Sequence, residues 1–180
     1  MDDRSQNALL VLRSQCGDRE ALEELLGGVQ PRLRAHILRV SGPNDADDIA
    51  QDVLLQICRH LPLLREPQYF RAWAYRIATR AALKSRGRFR LWLDRHDTEA
   101  EVENLSVEEN ACSILLANEL LSLTENLSPA SRAVLSLHYV EGFTIGEIAA
   151  ILQLDVGTVK SRLAYGLKSL RTAVSQSITR

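Results

Sequence analysis

The chain has 180 residues, 46% of them apolar and 5% aromatic, which is enough for one ordinary domain or two small ones with packed cores. Leu, Ala, Glu and Arg dominate and no alternating Val, Ile and Thr runs occur, so composition argues against a sheet and predicts an all-α protein. The net charge of −1 hides segregated charge: residues 71–90 carry seven basic side chains and no acid, whereas residues 94–109 carry seven acids and one arginine.

Cysteine and histidine usage argues against metal, disulfide and cofactor chemistry. The three cysteines, Cys16, Cys58 and Cys112, are far apart and odd in number, which predicts a reducing cytoplasm. Each thiol is predicted to be a small buried hydrophobic residue, with redox sensing as the alternative. The histidines are isolated, and no glycine-rich phosphate loop or nucleophile elbow occurs. We therefore predict no metal, no cofactor and no enzymatic activity. No apolar run approaches the roughly 18 residues of a membrane span, which predicts no membrane insertion.

Two helices, residues 6–15 and 18–41, are predicted at the amino-terminal end. Gly17 separates them, and Asp18 is placed to cap the second. Pro31 lies within the second helix and can bend it. A Ser-Gly-Pro-Asn turn then ends the helix, so the pair is predicted to form a hairpin.

The next helix, DADDIAQDVLLQICRHL from Asp45, has one apolar and one acidic face. Apolar residues recur at Ile49, Val53 and Ile57. Such an acidic face can dock a basic partner helix. Alternatively, the early aspartates only complement the helix dipole. The polar face comprises Asp45, Asp48, Asp52 and Gln56.

The stretch QYFRAWAYRIATRAALKSRGRFR interleaves aromatic residues with arginines. Stacking surfaces beside cations suit single-stranded nucleic acid, at about 1 to 3 kcal/mol for each stacked base. Phe70 and Ile77 are predicted as core residues, and Trp73 is placed to serve the core or a base. The unbalanced cations predict a polyanionic partner.

Residues 94–109 lose helical periodicity and are predicted to be an extended acidic linker. Beyond it, residues 110–126 and 129–140 are predicted as two helices, the second capped by Ser128. They are expected to support the segment that follows.

That segment, FTIGEIAAILQLDVGTVKSRLAYGLKSLR, has the pattern of a helix-turn-helix. Thr144 and Glu147 have capping-box spacing, which starts a short helix at Ile145. A turn over residues 153–155 leads into a longer helix, in which Val156 begins the predicted packing face.

The second helix of this motif is expected to leave one face open. From residue 156 to 180 there are five Lys or Arg and no acid, so the open face suits DNA, with an ordinary helical hairpin as the alternative. Residues predicted there are Gly157, Thr158, Lys160, Ser161, Arg162, Tyr165, Lys168 and Arg171.

EIAAILQLDVGTVKSRLAYGLKSLR resembles the promoter-reading region of bacterial sigma factors of the sigma-70 family, especially the extracytoplasmic-function (ECF) group. GDREALEELL followed by DADDIAQDVLLQI is similar to the segment of that family that docks on the clamp helices of the polymerase largest subunit. The resemblance implies core-polymerase contacts at Asp48, Gln51, Asp52 and Gln56.

FRAWAYRIA is similar to the family segment that melts the promoter minus-ten element and flips a base. The chain departs from the family pattern just beyond it, where Arg80 and Lys84 replace the usual Asn and Asp. Basic residues at these positions strengthen phosphate attraction and leave the identity of the flipped base open. The minus-ten residues predicted in this way are Trp73, Arg76, Arg80, Lys84, Arg86 and Arg88.

The resemblance implies a sigma factor with a region 2-like domain (1–93), the acidic linker (94–109) and a region 4-like domain (110–180) that reads the minus-thirty-five element. The linker is expected to be a tether or, alternatively, a nucleic-acid mimic in the RNA-exit path. The implied partners are core RNA polymerase, through its clamp helices and flap, promoter DNA and an anti-sigma factor. A module that titrates an anti-sigma factor without binding promoters is the alternative function.

Overall fold

The computed structural model describes residues 3–85 and 127–178, and every regular element in these ranges is helical, which confirms the all-α prediction. The chain divides into two compact units, Met1–Gly87 and Arg88–Arg180. The predicted linker (94–109) and the predicted helix 110–126 lie outside the described residues. The proposed domain boundaries therefore stay a prediction.

The first unit contains four helices joined by short connections. Two 3₁₀ turns, Leu61–Leu63 and Pro67–Tyr69, separate the third helix from the fourth. The helices are α1 (Asp3–Gln15), α2 (Arg19–Ser41), α3 (Ala46–His60) and α4 (Phe70–Ser85).

The turn between α1 and α2 forms as the sequence predicts. Gly17 has φ 91°, a conformation that glycine adopts without strain. The Asp18 carboxylate accepts a hydrogen bond from the Ala21 amide at 3.0 Å and forms an ion pair with Arg13 at 2.6 Å. The Ala21 hydrogen bond, followed by that of Arg13, lowers the pKa of Asp18. Helix α2 then continues through Pro31 to Ser41.

The core of this unit is built where α2 packs against α3 and α4. His36 of α2 is fully buried, and its Nε2 shares a 2.8 Å hydrogen bond with the Thr79 hydroxyl of α4. Tyr75, also fully buried, meets the His36 ring edge-on at 5.3 Å between centroids. Burial, followed by the charge of Arg39, lowers the pKa of His36 to about 3.

Acid is expected to destabilise the first unit through His36. The unfolded imidazole takes up a proton below about pH 6.5, whereas the folded one resists protonation to about pH 3. Stability is therefore lost as the pH falls through this window, by up to about 1.4 kcal/mol for each pH unit. Urea unfolding at pH 7 and pH 5 should show a loss of about 2 kcal/mol that is absent in His36→Gln. Equal pH dependence in the two proteins would contradict this role.

The second unit has three described helices and one π turn. Ser128 caps the first helix as predicted, since its hydroxyl accepts from the Ser131 amide at 3.2 Å. The predicted helix 129–140 is regular only as far as Leu135, and a π turn, Ser136–Val140, completes it. The helices are α5 (Pro129–Leu135), α6 (Ile145–Leu152) and α7 (Val156–Ile178).

Helix α7 packs closely on α5 at a glycine. A Cβ atom on Gly166 would lie 2.8 Å from Cδ1 of Leu135, which is inside contact distance. The absent side chain thus lets Leu135 lie against the α7 backbone. This contact lies on the buried side of α7, which also carries Val159 and Leu163.

Candidate functional surfaces

The acidic face of α3 is open to solvent, as its periodicity predicts. Its opposite face is buried through Ile49, Val53 and Ile57. All four residues predicted to contact a partner are exposed: Asp48, Gln51, Asp52 and Gln56. The structure thus brings them together on one accessible surface, hereafter the α3 acidic face.

In the described residues, Asp48 and Asp52 on this face form no ion pairs with neighbouring helices. Asp47 pairs with Arg34 of α2 at 2.6 Å, and this hydrogen bond lowers the pKa of Asp47. Within residues 3–85 and 127–178, no ion pair involves Asp48 or Asp52. Asp52 lies beyond the first turn of α3, where helix-dipole stabilisation fades. A dipole role therefore accounts for Asp48 better than for Asp52.

An apolar residue that the sequence analysis missed lies on the same side. Leu55 is 48% exposed, although α3 buries its other apolar stripe. Its position two residues after Val53 was the available signal, because two residues rotate an α-helix to nearly the opposite side. Exposed leucine among carboxylates is a suitable centre for a protein interface.

Helix α4 carries a cationic surface beside an aromatic one. Trp73 is half-buried and lies 6.1 Å from Phe70 between ring centroids. Arg76 and Arg80 are partly exposed, and Lys84 is exposed. Burial, followed by the positive charge of Arg80, lowers the pKa of Arg76. These cations repel one another, which favours an anionic ligand.

Not every residue of this stretch lies where the sequence placed it. Phe70 is in the core as predicted, but Ile77 is only half-buried. Tyr75 is a core residue and offers no stacking surface. Arg86 and Arg88 lie outside the described residues.

An open cleft of about 390 Å³ lies between the end of α3, the first 3₁₀ turn and α4. Trp73 forms part of its wall, and Leu63, 74% exposed, stands at another side. The lining is mixed, and the indole and aliphatic side chains beside polar groups offer contacts for a flat aromatic ligand. The lining residues are Gln56, His60, Leu63, Leu64, Arg65, Trp73 and Ile77.

The helix-turn-helix of the second unit is present. Thr144 and Glu147 form the predicted capping box, with the Thr144 amide donating to the carboxylate at 2.9 Å and the Glu147 amide donating to the hydroxyl at 3.2 Å. Gln153 ends α6 with φ 57°, so the turn uses a left-handed residue. Helix α7 then begins at Val156, as predicted, although Val156 itself is 46% exposed and is not a core residue.

The open face of α7 carries most of the residues predicted for it. Thr158 and Ser161 are half-buried, and the Ser161 hydroxyl donates to the Gly157 carbonyl at 3.0 Å. The exposed members are Gly157, Lys160, Tyr165, Lys168 and Arg171.

The prediction that Arg162 lies on this open face is wrong. Arg162 is 6% exposed, between the buried residues Val159 and Gly166 on the side of α7 that faces the core. Close contact of Gly166 with Leu135 turns this side of the helix inward. A base contact would require the Arg162 guanidinium to leave that packing.

Within the described ranges, no three His, Cys, Asp or Glu side chains come together as a metal site. Cys16 is exposed and Cys58 is partly exposed, so the prediction that these two thiols are buried is wrong. Cys112 lies outside the described residues. In the same part of the chain, no helix has the length and apolar character needed to cross a bilayer.

Comparisons with known proteins agree with this geometry. The family model for sigma-70 region 2 matches residues 25–90, and that for sigma-70 region 4 matches residues 117–170. The chain is 29% identical to the ECF RNA polymerase sigma-E factor of Escherichia coli (strain K12) over 194 aligned positions that cover both chains fully. It is 27% identical to the protein of that name from Haemophilus influenzae, over 91% of this chain and 92% of that one.

Two solved structures have a similar fold. CnrH in complex with the cytosolic domain of CnrY is 22% identical, with a TM-score of 0.69, covering 95% of this chain and 98% of that one. The sigma factor RpoE in complex with the anti-sigma factor NepR from Bartonella quintana is 23% identical, with a TM-score of 0.63, covering 85% of this chain and 96% of that one.

Proposed function

The chain belongs to the sigma-70 family, in its extracytoplasmic-function group, and from this premise we propose that it binds core RNA polymerase and directs it to promoters in the cytoplasm. The proposal rests on the region 2 and region 4 matches, which occur in family order and fall mainly on the first and the second helical unit, respectively. Its role is in initiation, and the chemistry of RNA synthesis belongs to the polymerase.

Core binding is assigned to the α3 acidic face. Asp48 and Asp52 are exposed and take part in no ion pair of the described residues, so both charges are available to a basic partner. Leu55 adds exposed apolar area within the same surface. Complementary charge steers such a partner, and the leucine contributes burial once it has docked.

Strand opening is assigned to the cleft beside Trp73 and to the cations of α4. An unstacked base can lie against the exposed part of the indole, while Arg76, Arg80 and Lys84 attract the backbone. Backbone contacts position the strand, and the cleft receives the base. Arg80 and Lys84 hold cations where the family usually has Asn and Asp, so we propose a stronger phosphate contribution here.

Duplex reading is assigned to the first turns of α7. Gly157 and Lys160 are exposed there, and Thr158 and Ser161 are partly so. A helix presented by a helix-turn-helix inserts these turns into the major groove. Lys168 and Arg171, farther along, are placed for phosphate contacts.

Lys160→Ala is expected to weaken binding to the upstream duplex by about tenfold, in line with about 1 to 3 kcal/mol for a base contact. Arg162→Ala, two residues away, should act mainly on the stability of the second unit, because Arg162 is buried. Duplex affinity and thermal unfolding measured on both variants separate these effects. If a folded Arg162→Ala protein selects a different element from randomised duplex DNA, this result would show that Arg162 contacts a base after all.

An anti-sigma factor is proposed as a second partner, since one fold relative was solved with such a factor. That likeness, together with the Arg80 and Lys84 departures, also supports the alternative that the chain only titrates an anti-sigma factor. Run-off transcription with purified core polymerase on promoter fragments enriched from genomic DNA decides between them. Specific transcripts support the initiation role, and their absence on every enriched fragment, with core binding intact, favours the titrating module.

A further inference from the structure

We propose that Gln15, at the end of α1, is a positioning residue that sets the shape of the cleft beside Trp73. Helix α1 precedes the stretch matched by the region 2 model, residues 25–90, and lines no part of the cleft. Its last residue nevertheless reaches the turn that forms one wall. The inference rests on the proposed capture of a base in this cleft.

Both amide hydrogens of Gln15 are used on one turn. Its Nε2 donates to the Leu61 carbonyl and to the Leu64 carbonyl, each at 2.9 Å. These two carbonyls bracket the first 3₁₀ turn, and the Leu64 amide also donates to the Leu61 carbonyl at 3.1 Å. Gln15 therefore holds both ends of the turn from a helix 46 residues earlier in the chain.

The turn that Gln15 holds forms one wall of the cleft. Leu63, Leu64 and Arg65 line the cleft and belong to this turn or follow it directly. Leu63 is 74% exposed, so little packing of its own side chain fixes its position. The two hydrogen bonds from Gln15 thus add a backbone constraint to a turn that is otherwise fixed by its buried residue, Leu61.

Gln15 is itself held in place. The Cys16 amide donates to the Leu12 carbonyl at 3.1 Å, and the Gly17 amide donates to the Ser14 carbonyl at 3.0 Å. The Arg13–Asp18 ion pair closes the same turn. Because its backbone is fixed, the Gln15 side chain can hold the cleft wall at a set distance from α1.

The test is a double-mutant cycle on binding affinity, in which one change is a substitution in the protein and the other is the removal of one base from the DNA. Holoenzyme made with the full chain is bound to single-stranded non-template oligonucleotides, each carrying one abasic position. At the captured base, the native protein is expected to lose about tenfold in affinity. Gln15→Met keeps the length of the side chain but has no hydrogen-bond donor. In this variant, removal of the same base should reduce the affinity less than threefold.

Partial unfolding cannot produce this pattern, because an inactive fraction lowers the affinity for intact and abasic strands by the same factor. Gln15→Lys retains N–H donors that can reach both carbonyls and should restore part of the penalty. Ser14→Ala is the matched control, since among the described residues its hydroxyl donates to the Leu10 carbonyl within α1, and it should behave as the native protein.

An unchanged abasic penalty in Gln15→Met, alongside a clear penalty in the native protein, overturns the positioning role and leaves base capture intact. If no abasic position affects the native protein, base capture fails and the role of Gln15 fails with it. The two failures are thereby distinguished.

Discussion

Reversing the charge at both Asp48 and Asp52 is expected to reduce affinity for core polymerase by at least about thirtyfold, the equivalent of about 2 kcal/mol. Both carboxylates are exposed and take part in no described ion pair, so lysine at these positions places like charges against a basic partner without disturbing the core. Titration of labelled chain with core polymerase, at two salt concentrations, measures the loss and its electrostatic origin.

A matched control is available on α2. Glu20 and Glu24 have the same spacing as Asp48 and Asp52, are exposed, and also begin near a helix amino terminus. The double substitution Glu20→Lys and Glu24→Lys makes the same change in net charge. It also places the same unfavourable positive charges near a helix amino terminus. This pair should leave core affinity nearly unchanged. Equal losses in both pairs, or no loss in either with native helical content, would return the aspartates to a dipole role.

Trp73→Ala is expected to reduce open-complex formation on duplex promoters by about tenfold or more, since each stacked base contributes about 1 to 3 kcal/mol. The indole lines the cleft and is only half-buried, so it can accept an unstacked base. Activity should return in part on a pre-melted template, where opening no longer has to be driven by base capture. Permanganate reactivity of the melted thymines provides the measurement.

Tyr69→Ala is the control for this experiment. Tyr69 is an aromatic residue four positions earlier, 58% exposed and absent from the cleft lining. Its loss should leave opening unaffected on either template. A Trp73→Ala protein equally defective on duplex and pre-melted DNA would show that Trp73 only supports the core through its contact with Phe70.

Local rules were sufficient for three helix caps and for most of the helices in the described residues, but not for the two 3₁₀ turns or for the π turn Ser136–Val140. The Asp18, Ser128 and Thr144 caps depend on side chains within three residues of the amides they satisfy, so spacing alone predicts them. The acidic face of α3 follows in the same way, because a period of 3.6 residues separates Asp48 and Asp52 from the buried stripe.

The partner helix decided which side of a helix is buried and how wide the buried face is. Periodicity placed Arg162 on the open face of α7, but the contact between Gly166 and Leu135 widens the buried side to include it. The His36, Thr79 and Tyr75 cluster is likewise a meeting of α2 and α4 across 43 residues, which no local pattern contains.

Sequence by itself determined the helical elements, their caps and the family motifs, since each depends on residues a few positions apart. Only the tertiary structure decided that Trp73 borders a cleft, that Leu55 is exposed beside the acidic face and that Gln15 reaches the 3₁₀ turn. These features depend on distances between residues remote in the chain, and such distances arise from packing, which a one-dimensional pattern does not encode residue by residue.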